Sequence, residues 1–194
     1  LIIGNIVANN EIKEIQTMVG GLPKEKNPPW NYKAPFSPID VIEEYTRPAR
    51  IKIDGKIEIR KALSEKQKLE VEGIGELEAF LTDGLRTLLD PKGSLSGVPN
   101  LMEFTIRYSG HCDLVRKMIK EGEFSNEIVN YKNQKITRKE KTCVELFKSW
   151  KLEKGEEEFT FMLILAVASD GNEISYTIYD EFTEGATSMA RTTG

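Results

Sequence analysis

Apolar residues recur along this chain with two periods, every second position in some stretches and every third or fourth in others, which predict strands and helices. After Glu103, Phe104 and Ile106 alternate with Thr105 and Arg107, a strand. Beyond Ser109-Gly110, Leu114, Val115, Met118 and Ile119 share one helical face, and that helix is expected to end at Gly122. Glu14 to Val19 alternates as a second strand, which Gly20-Gly21-Leu22-Pro23 is expected to end, as a tight turn or a close approach of backbones. Residues 1–13 read as the end of a helix. Ser37-Pro38-Ile39-Asp40 carries an N-cap serine, a proline at the first helical position and an early acid. Ile39, Ile42 and Tyr45 then mark the apolar face, and Pro48 stops the helix. Asp54-Gly55 predicts a hairpin between Ala49–Ile53 and Lys56–Arg60, and Lys68 to Val71 is a further short strand. Thr137-Arg138-Lys139-Glu140 is a capping box, opening a helix with Cys143, Phe147 and Trp150 on one face. Lys151 to Glu158 reads as a solvated connection. Phe159 to Ala168 and Glu173 to Phe182 pair across Asp170-Gly171-Asn172, and the first, apolar on both faces, is expected at the centre of the sheet. Lys24 to Pro35 sets prolines around Trp30 and Tyr32, an ordered loop with an aromatic wedge. The tally of roughly eight strands and four helices gives an α+β fold, a largely antiparallel mixed sheet with helices packed on one face.

Composition narrows the function. A chain of 194 residues suits one domain, 1–194, with a real core. The net charge is −4, so there is no basic excess for nucleic acid. No apolar run approaches the ~18 residues of a membrane span. Cys112, Cys143 and the single His111 fit no metal-ligand spacing, so no metal is expected. The chain starts Leu-Ile-Ile-Gly-Asn and stops directly after an apparent motif, and is therefore expected to be a piece of a longer polypeptide.

Candidate chemistry gathers at the strand-to-helix junction Arg107-Tyr108-Ser109-Gly110-His111, where unpaired first-turn N–H groups favour an anion. A local reading has Arg107 paired with a neighbouring acid and His111 merely starting the helix. No Gly-x-Gly-x-x-Gly follows a strand, and no Gly-x-Ser-x-Gly elbow is present. Asp83 and Arg86, three apart, fit a local ion pair. Paired acids such as Glu43-Glu44 read as solvated faces.

Several ordered stretches together resemble one family. These are Val19-Gly-Gly-Leu-Pro23, Asn31-Tyr-Lys-Ala-Pro-Phe-Ser-Pro38, Asp40-Val-Ile-Glu-Glu-Tyr-Thr-Arg-Pro-Ala49, Glu78-Ala-Phe-Leu-Thr-Asp-Gly-Leu-Arg-Thr87, Thr105-Ile-Arg-Tyr-Ser-Gly-His111 and Ser188-Met-Ala-Arg-Thr-Thr-Gly194. They resemble the non-Rossmann domain of saccharopine dehydrogenase-like enzymes, nearest the lysine 6-dehydrogenase branch. The resemblance implies a two-domain, cytoplasmic dehydrogenase whose absent Rossmann part binds NAD or NADP. It implies an amino-acid substrate, L-lysine oxidised at its ε-carbon to aminoadipate semialdehyde, and a homodimer formed through the sheet. Arg107 or Arg86 would hold the substrate carboxylate, Asp83 its α-ammonium, and Gly21, Leu22, Tyr32 and Tyr108 the walls. His111 would handle the proton, and Arg191 and Thr192 would adjoin the cofactor domain. The family's usual proline between tyrosine and glycine is Ser109 here, which loosens that turn. Saccharopine or carboxynorspermidine oxidation is the enzymatic alternative, and a non-catalytic dimerising, metabolite-binding module is the other.

Overall fold

Strand β1 (Ile12–Pro23) is the spine of the molecule in the computed structural model, which describes residues 2–34 and 37–193. It pairs in parallel with β6 (Asn100–Tyr108) and antiparallel with β9 (Glu158–Ala168). β10 (Glu173–Glu181) lies outside β9, while β2 (Ala49–Ile53) and β3 (Lys56–Arg60) lie beyond β6, giving the order β10-β9-β1-β6-β2-β3. β5 (Gly75–Leu81) also pairs with β6 and carries β4 (Gln67–Val71) on its far side. The β1–β6 pair supplies the parallel part of an otherwise antiparallel sheet. A separate hairpin joins β7 (Ile128–Tyr131) to β8 (Gln134–Thr137).

Alternation along β6 sorts the two faces of the sheet. Phe104, Ile106 and Tyr108 enter a core with Met18, Leu22, Leu77, Leu81, Ile51 and Phe161, among others. Every buried member of that core comes from a strand. The sheet therefore closes over itself there, with no helix to cover it. Helices α1 (Ile2–Asn9), α2 (Pro38–Thr46), α3 (His111–Lys120), α4 (Arg138–Trp150) and α5 (Ser188–Thr193) stand on the other face, as the apolar patterning predicts. α2, α3 and α4 close one cluster around Tyr45, Phe80 and Trp150; α1 closes another around Ile15, Leu101 and Ile164. Each fully buried large side chain contributes roughly 1.5–3 kcal/mol. Between these clusters β6 carries the polar Glu103, Thr105 and Arg107 on that face, beside Val19 and Gly21 of β1.

The structure corrects several expectations. Gly20-Gly21 does not end β1, whose pairing with β9 continues to Pro23. Gly20 is a close approach of backbones, because a Cβ there would stand 2.3 Å from the Ile106 carbonyl oxygen. β1 begins at Ile12, inside the stretch expected to be helical. Ile39 is 43% exposed and Phe147 41%, because Val41 and Leu146 take the inward positions on α2 and α4. Ser37 forms no side-chain cap, whereas the Thr137–Glu140 capping box is complete. β9 is interior but one strand from the edge, and Glu158 is a buried strand residue rather than part of a solvated link. The β7–β8 hairpin was not expected. It turns on Lys132 and Asn133, both at positive φ, a two-residue primed-type turn without the usual glycine. Pro35 of the predicted loop and Gly194 of the last motif lie outside the described residues.

Candidate functional site

A cavity of about 550 Å³ opens on the helical face, between the two helix-covered clusters. Its floor is Val19 and Gly21 of β1 with Glu103, Thr105 and Arg107 of β6, the outward set of each alternation. Asp40, Glu44 and Arg47 reach it from α2, where spacings of four and three put them on one face while Val41, Ile42 and Tyr45 fill the core behind. The turn after β5 adds Thr82, Asp83, Gly84 and Arg86. Tyr32 enters from the proline-bearing loop, and Thr187, Met189 and Ala190 close the remaining side. Two glycines make the geometry possible. A Cβ on Gly84 would fall 2.4 Å from Glu103 Cδ, and one on Gly21 would press Met189 Cε at 3.1 Å.

Arg107 is buried and held by a directed chain of hydrogen bonds. Its Nε–H donates to Tyr45 Oη at 2.8 Å and its Nη1–H to the Ile106 carbonyl. His111 Nδ1 lies 3.1 Å from the Trp30 carbonyl, which can only accept, so Nδ1 carries the proton. His111 Nε2 therefore accepts from the Tyr45 hydroxyl at 3.0 Å. Burial first, then the Arg107 charge, drives the His111 pKa down to about 3 against the pull of the Trp30 carbonyl, so the imidazole is neutral. Burial also opposes the Arg107 cation, but the oxygens of Tyr45, Tyr32 and Glu44 outweigh it, and its pKa is raised. The guanidinium lies 4.5 Å from the centre of the Tyr32 ring. Burial pushes the Tyr32 hydroxyl up to about 12, with the Arg107 charge pulling it the other way.

The acids on the floor differ from one another. Asp83 is clamped by Arg50, whose Nε and Nη2 donate at 2.8 and 2.9 Å, and by Arg47 at 3.0 Å. Burial pushes the Asp83 carboxyl up, but the bonds and charges of Arg50 and Arg47 outweigh it and hold it below its usual range. Glu103 Oε2 accepts from Thr82 Oγ1 at 2.7 Å and from the Gly84 N–H at 3.1 Å. Thr105 Oγ1 donates to Glu44 Oε1 at 2.6 Å.

Of the residues predicted from sequence, Gly21, Tyr32, Asp83, Arg86 and Arg107 meet at this cavity. Leu22 and Tyr108 do not, because each occupies the other parity of its strand and packs in the all-strand core, where the Tyr108 hydroxyl donates to the Pro23 carbonyl. His111 stands behind the wall with both nitrogens engaged, so it is a support for Tyr45 and not a group facing a ligand. The anticipated anion site at the start of α3 is filled from within, since Glu78 Oε1 accepts from the Cys112 N–H at 2.6 Å. The Asp83–Arg86 pair is not formed, as Asp83 belongs to Arg47 and Arg50. Arg191 and Thr192 bind Asp180 of β10 and lie outside the cavity. Glu44, Thr82, Glu103 and Thr105 were missed. Their signals were the spacing of Asp40, Glu44 and Arg47, and the polar alternation of Glu103, Thr105 and Arg107 within an otherwise apolar strand.

The chain belongs to the saccharopine dehydrogenase C-terminal domain family, whose profile it matches over residues 2–194. Among solved structures it is similar to apo, histidine-tagged saccharopine dehydrogenase (L-Glu forming) from Saccharomyces cerevisiae, with a TM-score of 0.71 and 17% identity. The match covers 95% of this chain and 57% of that one. At that identity the similarity speaks for the fold alone. The start of α3 does not fit a dinucleotide. The strand-to-helix turn at Gly110 would be the place for a pyrophosphate, and there the Glu78 carboxylate already takes the helix N–H group. Among the described residues, no helix is long and apolar enough to cross a membrane.

Proposed function

We propose that this domain holds the amino-acid substrate of an NAD(P)-dependent dehydrogenase acting at a carbon that bears nitrogen, with L-lysine oxidised at its ε-carbon as the specific reading. The observation that carries it is Arg107: a buried cation at the floor of the cavity, two of its five N–H groups spent on Tyr45 and Ile106 and its Nη2 3.6 Å from Glu44 Oε1, the pairing with a neighbouring acid that a substrate carboxylate would share. Around it, Glu44 and Asp40 supply the acceptors that an ammonium group requires. The nucleotide would be held by residues outside this domain, and the chain's own part is to bind the substrate, orient it and take up its proton. Two copies would join through the sheet, which light scattering can check.

A second reading, saccharopine as substrate, is favoured by a different observation. Arg86 also lines the cavity, and extra carboxylates call for extra cations. The two readings separate in one assay. The intact protein with NAD or NADP and either L-lysine or L-saccharopine is followed by absorbance of the reduced nucleotide; turnover of saccharopine alone sinks the lysine reading, and turnover of neither substrate with either nucleotide sinks both. With the active substrate, Arg107→Lys retains a charge but loses the planar fork, and its KM should rise roughly ten- to a hundredfold, the loss of a charge-assisted bond. An unchanged KM removes Arg107 from the role of carboxylate anchor.

A further inference from the structure

The cavity floor contains a row of oxygens that its hydroxyl groups cannot fully bridge. Glu103 Oε2, Thr82 Oγ1, Thr105 Oγ1 and Glu44 Oε1 follow one another at 2.7, 2.8 and 2.6 Å. Each contact of that length needs a proton between its oxygens. Three contacts need three protons, and the two threonines bring one each. If Thr82 donates to Glu103 and Thr105 to Glu44, the two hydroxyl oxygens face each other bare at 2.8 Å. A third proton, on one of the carboxyl groups, completes the row.

We propose that Glu44 and Glu103 act as one pair sharing a single proton through Thr105 and Thr82, and that this pair exchanges a proton with an amine bound in the cavity. Glu44, with a side chain 24% exposed, is the end that meets the ligand. Glu103, buried beneath it, is a positioning residue that sets how tightly the pair holds its proton. The electrostatics agree with the count. Burial pushes Glu103 up to about 8, the Glu44 charge adds to this, and Thr82, Gly84 and Arg107 only partly offset it. Around the pair stand Arg107 on β6, its Nη2 3.6 Å from Glu44 Oε1, Asp40 and Tyr45 on α2, Arg47 just beyond it, Asp83 and Arg86 after β5, and Tyr32 from the loop.

The amine step rests on the dehydrogenase reading. A carbon can surrender hydride only when its nitrogen has a lone pair, so a substrate ammonium must first lose one proton. The pair without its shared proton accepts it: R–NH3+ and two carboxylates become R–NH2 and the pair with one proton, and no other bond changes. In the reverse direction the same proton returns to nitrogen. The titration belongs to the pair and not to either residue.

Two measurements on the intact protein test this separately from the choice of substrate. Infrared spectroscopy should find the carbonyl stretch of a protonated carboxyl group at neutral pH, lost as pH passes about 8 and absent in Glu103→Gln. No such band, or one that survives in both Glu103→Gln and Glu44→Gln, overturns the shared proton whatever the enzyme oxidises. With the active substrate, L-lysine or L-saccharopine, kcat/KM should rise with pH along a limb near that value. Thr105→Val, which cuts the row and keeps both carboxyl groups, should move the limb down by about one to two pH units. A lower rate with an unmoved limb would mean that Thr105 serves structure only, and would overturn the exchange with the amine. A band present in a protein that oxidises neither substrate would uphold the shared proton and end the dehydrogenase reading.

Discussion

Two buried residues give this domain a stability with opposite slopes on the two sides of neutrality. Glu103 has its pKa raised from 4.5 to about 8 in the folded state, so the folded protein holds the proton more tightly than the unfolded chain. Its contribution is complete below 4.5 and is lost as pH rises to about 8. His111 has its pKa lowered from 6.5 to about 3, so its contribution is complete above 6.5 and is lost as pH falls through the acid range. Between 4.5 and 6.5 the two oppose each other. Urea unfolding across this range should show Glu103→Gln removing a loss on the order of a few kcal/mol between pH 4.5 and 8, while the acid-side decline remains. If wild type is flat to pH 8, Glu103 is not protonated in the fold. At this scale the sequence displayed the polar groups but not their partners. Asp83 and Arg86 looked paired because they are near in the chain, whereas Asp83 meets Arg50 of β2, thirty-three positions away.

At the scale of elements, periodicity was legible wherever one face is buried and one is not. Ala49–Ile53 and Lys56–Arg60 have the predicted bounds because Asp54-Gly55 supplies a turn that the adjoining strands confirm. Gly20-Gly21 misled because a glycine marks both a turn and a close approach, and only the neighbouring strand tells which. That ambiguity is testable. Gly20→Ala must push β6 away from β1 at a backbone oxygen 2.3 Å from the new Cβ, so it should cost roughly 1–3 kcal/mol and lower Tm by several degrees. Gly4→Ala, in α1 with open space around it, should leave Tm unchanged or slightly raised. Equal effects of the two would show that β1 and β6 are not so closely apposed. The β7–β8 hairpin escaped because its turn is Lys132-Asn133, and asparagine is a weaker signal for positive φ than glycine.

For the whole molecule, the helices-on-one-face arrangement followed from patterning, but the cavity did not, since it is a gap between two cores. One carboxylate helps fix its last wall. Glu158 accepts from the Ser188 N–H and hydroxyl, each at 2.5 Å, and so pins α5 to β9. Glu158→Ala should free that segment, speeding amide hydrogen exchange at 187–191 while the β1–β6 amides keep their protection. Unchanged exchange there would show that the other anchors of α5, Thr160 on Ser188 and Asp180 on Arg191 and Thr192, suffice without Glu158. The aromatic cluster behind Arg107 has an optical consequence. The chain has two tryptophans, and Trp30 and Trp150 stand in edge contact at 5.2 Å. Both therefore emit from one spot, with Tyr32 5.2 Å from Trp150 and its ring beneath the Arg107 guanidinium. Intrinsic fluorescence and near-ultraviolet dichroism of this domain accordingly watch a single wall, the one a carboxylate must reach, and need no added dye to see a ligand arrive.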